Sequence, residues 1–139
     1  MEFKLSVTIK APAELIYKTW LNSKGHREMT GSEASISDQV GTSFSAWDGY
    51  ISGENLELET NKRIIQTWRT TEFKKNQEDS LVEIELIPND KLSTKIVLTH
   101  TNLSDQDEHY KKGWKDFYFI PMKKYFEKTS KAVRMTSKK

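Results

Sequence analysis

Residues 81–125, LVEIELIPNDKLSTKIVLTHTNLSDQDEHYKKGWKDFYFIPMKKY, carry two strand patterns followed by one long helical pattern, and that order decides the fold. In 81–87, Val82, Ile84 and Leu86 alternate with Glu83 and Glu85; in 92–101, Ile96, Leu98 and His100 alternate with Val97, Thr99 and Thr101. A period of two puts the first set of each stretch on one face of a sheet, looking toward whatever covers it. Asn89-Asp90 reads as the turn between them, and so short a link joins antiparallel neighbours. Ser104 with Asp107 has the spacing of a capping box, aspartate standing where glutamate is usual, and predicts a helix from about residue 105. Asp105 and Glu108 suit the positive end of that helix. Tyr110, Trp114, Phe117, Pro121 and Tyr125 then recur at helical spacing, one apolar stripe that must pack on something large. Pro121 lacks an N–H and crowds the carbonyl four residues back, so a kink or break is expected near Phe117. Gly113, beside Trp114, is expected to allow a close backbone approach.

Working outward, RIIQTWRT at 63–70 is β-branched and aromatic, and short segments at 33–37, 42–47 and 50–59 precede it. Asp48-Gly49 between two of them is a hairpin-turn signal. NSKGHREMTGS reads as a connector returning the chain to the sheet. Pro12 suits the first turn of a helix spanning 12–22, with Leu15, Ile16, Thr19 and Trp20 at helical spacing. Phe3, Leu5, Val7 and Ile9 alternate with Lys4, Ser6 and Thr8, a half-buried first strand. The expected fold is α+β: a curved antiparallel sheet of six or seven strands wrapped around a long C-terminal helix.

Lys128, Lys131, Arg134, Lys138 and Lys139 are unopposed by any acid, so residues 1–127 carry −3 of a chain whose net charge is +2. A mildly acidic body gives no basic face for nucleic acid. We expect one folded domain over 1–128 and a basic, disordered tail over 129–139. Fifteen aromatic residues supply large buried areas, and with no cysteine the core rests on packing alone. Glu2 and Lys4 interrupt what a signal peptide would need, and no stretch approaches the roughly eighteen apolar residues of a membrane span. A cytoplasmic protein with no membrane partner is expected.

Enzyme signatures are absent: no G-x-S-x-G elbow, no phosphate-cradling loop, no H-E-x-x-H. His26, His100 and His109 lack the paired spacing of metal ligands, so no metal or cofactor is expected.

Four stretches, IKAPAELIYKTW, FSAWDGYISGENLEL, RIIQTWR and GWKDFYFIPMKKYFE, resemble the activator of heat-shock-protein-90 ATPase homologue family, a branch of the START-like, helix-grip superfamily. The resemblance runs in order over about residues 3–128. It implies a helix-grip fold with a cavity between sheet and helix, an apolar ligand pocket in some members and nearly closed in others. In the eukaryotic co-chaperones the matching domain is the C-terminal half, and an added N-terminal domain makes the contact that does most of the activation. This chain alone is therefore expected to stimulate a heat-shock chaperone weakly or not at all.

The resemblance implies a cavity, and alternation gives its walls. Trp68 shares a face with Ile64 and Gln66, His100 shares one with Ile96 and Leu98, and Trp114, Phe117 and Tyr118 lie on or beside the helix stripe. Trp68, His100, Trp114, Phe117 and Tyr118 are expected to border one enclosed pocket for a hydrophobic or aromatic small molecule. His100 would be its polar group, or else a strand-end histidine near the sheet edge, satisfied by backbone or water. The Trp47-Asp48-Gly49 segment is assigned to turn chemistry. The reading is a non-catalytic binding module. The alternatives are docking on a heat-shock chaperone through the surface, or a cyclase or hydrolase using the same cavity, for which no acid is found on the face of His100.

Overall fold

In a computed structural model that describes the backbone of residues 1–137 and side chains through residue 128, alternation along the chain becomes one six-stranded antiparallel sheet. Its strands are β1 (Phe3–Ile9), β2 (Ser43–Ala46), β3 (Ile51–Glu59), β4 (Arg63–Thr70), β5 (Ser80–Asp90) and β6 (Ser93–Thr101). Their spatial order is β1-β6-β5-β4-β3-β2, so the first strand pairs with the last, Phe3 opposite His100 and Ile9 opposite Thr94. Ile84 faces Leu98 and Leu86 faces Ile96 across β5 and β6, and all four are buried, as the alternation predicts. The turn itself differs from expectation. Asn89 and Asp90 extend β5, and Asp90 Oδ1 accepts from the Leu92 N–H at 2.7 Å to close a turn at Lys91-Leu92. A register shift between Pro88 and Asp90 absorbs the odd residue.

The first helix, α1 (Ala13–Trp20), buries Ile16, Tyr17 and Trp20 and leaves Leu15 exposed. The stretch expected to be a connector is a second helix, α2 (Ser23–Thr30). Asn22 Oδ1 accepts from the Gly25 N–H at 2.9 Å, and Gly31 ends the helix at φ 85°, so both caps are present although only His26 and Met29 are buried. Residues 33–37 make no strand, only an isolated bridge between Ser35 and Ser45. There the Ile36 N–H donates to Ser23 Oγ at 2.9 Å, a side chain taking the place of a ladder partner.

After β6 the capping box forms: Ser104 N–H and Oγ each donate to Asp107 Oδ2 at 2.9 Å, opening a 3₁₀ turn at Asp105–Asp107. Helix α3 (His109–Trp114) follows, then a π-helical turn at Lys115–Phe119, then α4 (Ile120–Ser137). The break expected near Phe117 is this π turn. The Ile120 N–H bonds the Lys115 carbonyl five residues back, and the wider turn makes room for the Pro121 ring. One extra residue rotates the helix, and the buried stripe is Tyr110, Trp114, Tyr118, Met122 and Phe126 rather than one through Phe117 and Tyr125. Steps of four drift about 40° each on a regular α-helix, and the π turn takes up part of that drift.

Phe119 and Met122 close on α1 and the sheet so completely that only about 10 Å³ remains among Ile16, Trp20, Ile64, Ile84 and Leu98. The centre of the grip is filled. Among the described residues no helix is long and apolar enough to cross a membrane. The tail expected over 129–139 lies outside the residues whose side chains are described.

Candidate functional site

The β2–β3 hairpin turns through three consecutive left-handed residues, Trp47 (φ 53°), Asp48 (φ 58°) and Gly49 (φ 90°). A bulky aromatic residue rarely takes this conformation. Asp48 holds it by accepting from the Glu33 N–H through Oδ1 at 3.0 Å and donating its own N–H to the Glu33 carbonyl at 3.0 Å. The Trp47 ring is thereby set edge-on to Phe117 at 5.7 Å and to Tyr118 at 6.2 Å. Beneath it opens a cleft of about 610 Å³, off-centre from the filled grip. The hairpin contributes Trp47, Tyr50 and Ile51, and β4 contributes Trp68. The helical side supplies Tyr110, Trp114, Phe117 and Tyr118, with His109, Lys112 and Asp116 as its titratable members. Gly113 also borders the cleft, and a Cβ built on it meets nothing within 4 Å. The close approach expected at Gly113 is absent; it occurs at Gly53, where a Cβ would fall 1.9 Å from the Thr67 carbonyl oxygen.

Of the five residues expected to share a pocket, Trp68, Trp114, Phe117 and Tyr118 line this cleft. Phe117 does so from its mouth, 58% exposed, because the π turn swings it outward. His100 is elsewhere. It is fully buried behind Trp68 and Trp114, with ring centroids 4.7 Å and 6.0 Å away, and β6 is an interior strand, not an edge. Trp114 Nε1–H donates to its Nδ1 at 3.0 Å, which puts the proton on Nε2. Nε2–H donates to Ser80 Oγ at 2.8 Å, and Ser80 donates onward to the Trp68 carbonyl at 2.6 Å. Burial pushes this imidazole down to about 3. His100 is a neutral strut that fixes the two indoles. Gln66 likewise lies outside the cleft, donating to Asn55 Oδ1 at 2.8 Å.

Polar atoms behind the aromatic wall are similarly committed. Tyr118 donates to His26 Nε2 at 2.9 Å, whose Nδ1–H donates to the Trp20 carbonyl at 2.9 Å. Burial lowers the pKa of His26 and raises that of Tyr118. Tyr50 donates to Glu72, and the Tyr110 hydroxyl bonds Thr70 and lies 3.5 Å from the same Glu72 oxygen. Burial raises the pKa of both tyrosines, while the bond from Tyr50 holds the Glu72 carboxyl below its ordinary value. Phenols that keep their protons beside neutral imidazoles suit binding and orientation better than proton transfer. Sequence reasoning missed Trp47 and Tyr50 as wall residues. The signal was present, since they flank the Asp48-Gly49 turn, but turn chemistry accounts for that pattern without invoking a site.

A family model described as activator of Hsp90 ATPase homolog 1-like protein matches residues 10–127. The chain belongs to this family. It is 30% identical over 116 residues to the activator of 90 kDa heat shock protein ATPase homolog of Dictyostelium discoideum, a match covering 83% of this chain. It is 27% identical over 124 residues, 88% of its length, to the human activator of 90 kDa heat shock protein ATPase homolog 1. The chain spans only 30% and 36% of the lengths of these two relatives. Among solved structures, an HSP90 activator from Plasmodium falciparum superposes with a TM-score of 0.75 at 24% identity, covering 86% of this chain and 91% of that one. The sheet and helix of the Hsp90-activator homologues are thus the helix-grip fold expected from the sequence.

Proposed function

We propose that this family member is a non-catalytic cytoplasmic binding domain whose cleft takes a hydrophobic or aromatic small molecule. The observation that carries the reading is the cleft of about 610 Å³ walled by seven aromatic rings, beside a grip interior that is otherwise packed. That volume falls within the range of ordinary small-molecule sites, and such sites are mostly apolar and aromatic. Nile red, a neutral dye, is expected to bind at one site and quench tryptophan emission, because Trp47, Trp68 and Trp114 would lie beside it. Gly113→Leu should abolish that binding, since Gly113 borders the cleft and has open space where a side chain would be. Dye binding that ignores Gly113→Leu, or no binding at any concentration, would sink the reading. Native mass spectrometry of freshly purified protein would identify a co-purifying ligand.

Family membership favours a second reading, docking on a heat-shock chaperone through the surface. The Dictyostelium and human relatives that carry the activator name are much longer than this chain, and this stretch by itself is expected to stimulate the cognate chaperone's ATPase weakly or not at all. A steady-state ATPase assay tests that expectation: robust stimulation would overturn it and favour docking.

A further inference from the structure

Several of the cleft's aromatic side chains turn their polar tips toward protein partners, although the Trp47 indole N–H has no partner. Tyr118 donates to His26, Trp114 to His100 and Tyr50 to Glu72. What these side chains leave for the cleft is ring surface, and the face of an aromatic ring attracts a cation. One carboxylate is in the lining, and a second, outside it, bonds lining residues at the rim. Asp116 is in the lining, and Glu72 Oε2 gathers the Tyr50 hydroxyl, the Tyr110 hydroxyl at 3.5 Å and His109 Nε2 at 3.6 Å. Lys112 and Asp116 give the lining one charge of each sign. Glu72 remains, oriented by two phenols and held ionised by the Tyr50 bond.

We propose, resting on the reading of the cleft as a small-molecule site, that its ligand is an organic cation, an ammonium or aromatic iminium group joined to a flat apolar body. The positive centre lies over Tyr50 and Tyr110 beside Glu72, and the body lies against Trp47, Trp68 and Trp114. A neutral arene would use the same walls but gain nothing from Glu72, and an anion would meet that carboxylate unfavourably.

Benzyltrimethylammonium and its carbon isostere neopentylbenzene have nearly the same shape, so comparing them isolates the charge. The isostere is the more hydrophobic of the two, which biases the comparison against the proposal. Each is titrated into full-length protein carrying Nile red at pH 8, where imidazole side chains are ordinarily neutral. The cation is expected to displace the dye at a concentration at least about fivefold below that of the isostere. Glu72→Gln, an exposed substitution that keeps an oxygen for Tyr50, should shrink that ratio about threefold, and raised salt should shrink it as well. An isostere that displaces the dye as well as the cation does would overturn the proposal and leave the cleft reading standing. A ratio unmoved by Glu72→Gln would overturn the assignment of the positive centre. Failure of Nile red itself to bind would overturn both readings together.

Discussion

A neutral imidazole enclosed by indoles destabilises the fold as soon as the unfolded chain can take up a proton that the native state refuses. His100 holds out to about 3, whereas an unfolded histidine titrates near its ordinary 6.5. Its contribution is therefore complete above roughly pH 6.5 and is lost as pH falls toward 3, costing on the order of 3 kcal/mol by pH 4. His26 shifts in the same direction and adds to the slope. Urea unfolding at pH 7 and pH 4.5 should show this loss, and His100→Gln should be less stable at pH 7 yet shallower in its pH dependence. Equal slopes for the two proteins would contradict the assignment. Trp114→Ala should cost about 3–5 kcal/mol, the range for deleting a large buried aromatic, and it also strips His100 of a donor. Alternation along β4 and β6 was enough to orient Trp68 and His100 inward. It could not say that Trp114 would stand between His100 and open space, because that depends on where a helix fourteen residues later crosses the sheet.

At the scale of elements, the π turn decides which aromatic residues face inward. Read as a regular helix, the stripe runs through Phe117 and Tyr125; with one residue added it runs through Tyr118 and Phe126. Pro121 gave warning that the helix is interrupted, but a proline specifies a lost donor and a crowded carbonyl, not whether the chain answers with a kink or a wider turn. The second helix was hidden for a different reason: eight polar-rich residues with two buried side chains barely register as a periodic pattern. Gly113 offers a clean test of the described helix. It sits in helical backbone with open space where its side chain would be, so Gly113→Ala should raise stability by about 0.5–1 kcal/mol in thermal or urea unfolding. A loss of stability would mean that the backbone there is closely packed after all.

Across the whole molecule, the sheet and its covering helix were readable because short links between alternating segments leave few arrangements other than an antiparallel meander. The site was less readable: a hairpin tip and a helix turn form it jointly, and their approach is fixed by tertiary packing, through Trp47 against Phe117 and Tyr118. We propose that residues 1–128 fold as a unit. Phe126 is the last buried side chain among the described residues, and truncation after residue 129 is expected to leave the melting temperature within about 2 °C. The pairing of Phe3 with His100 also bears on biogenesis. Ribosomes add roughly 5–20 residues per second, so the apolar edge of Phe3, Leu5 and Ile9 leaves the exit tunnel many seconds before β6 is available to receive it. During that interval the nascent chain offers an unpaired hydrophobic strand, the kind of segment that holdase chaperones retain.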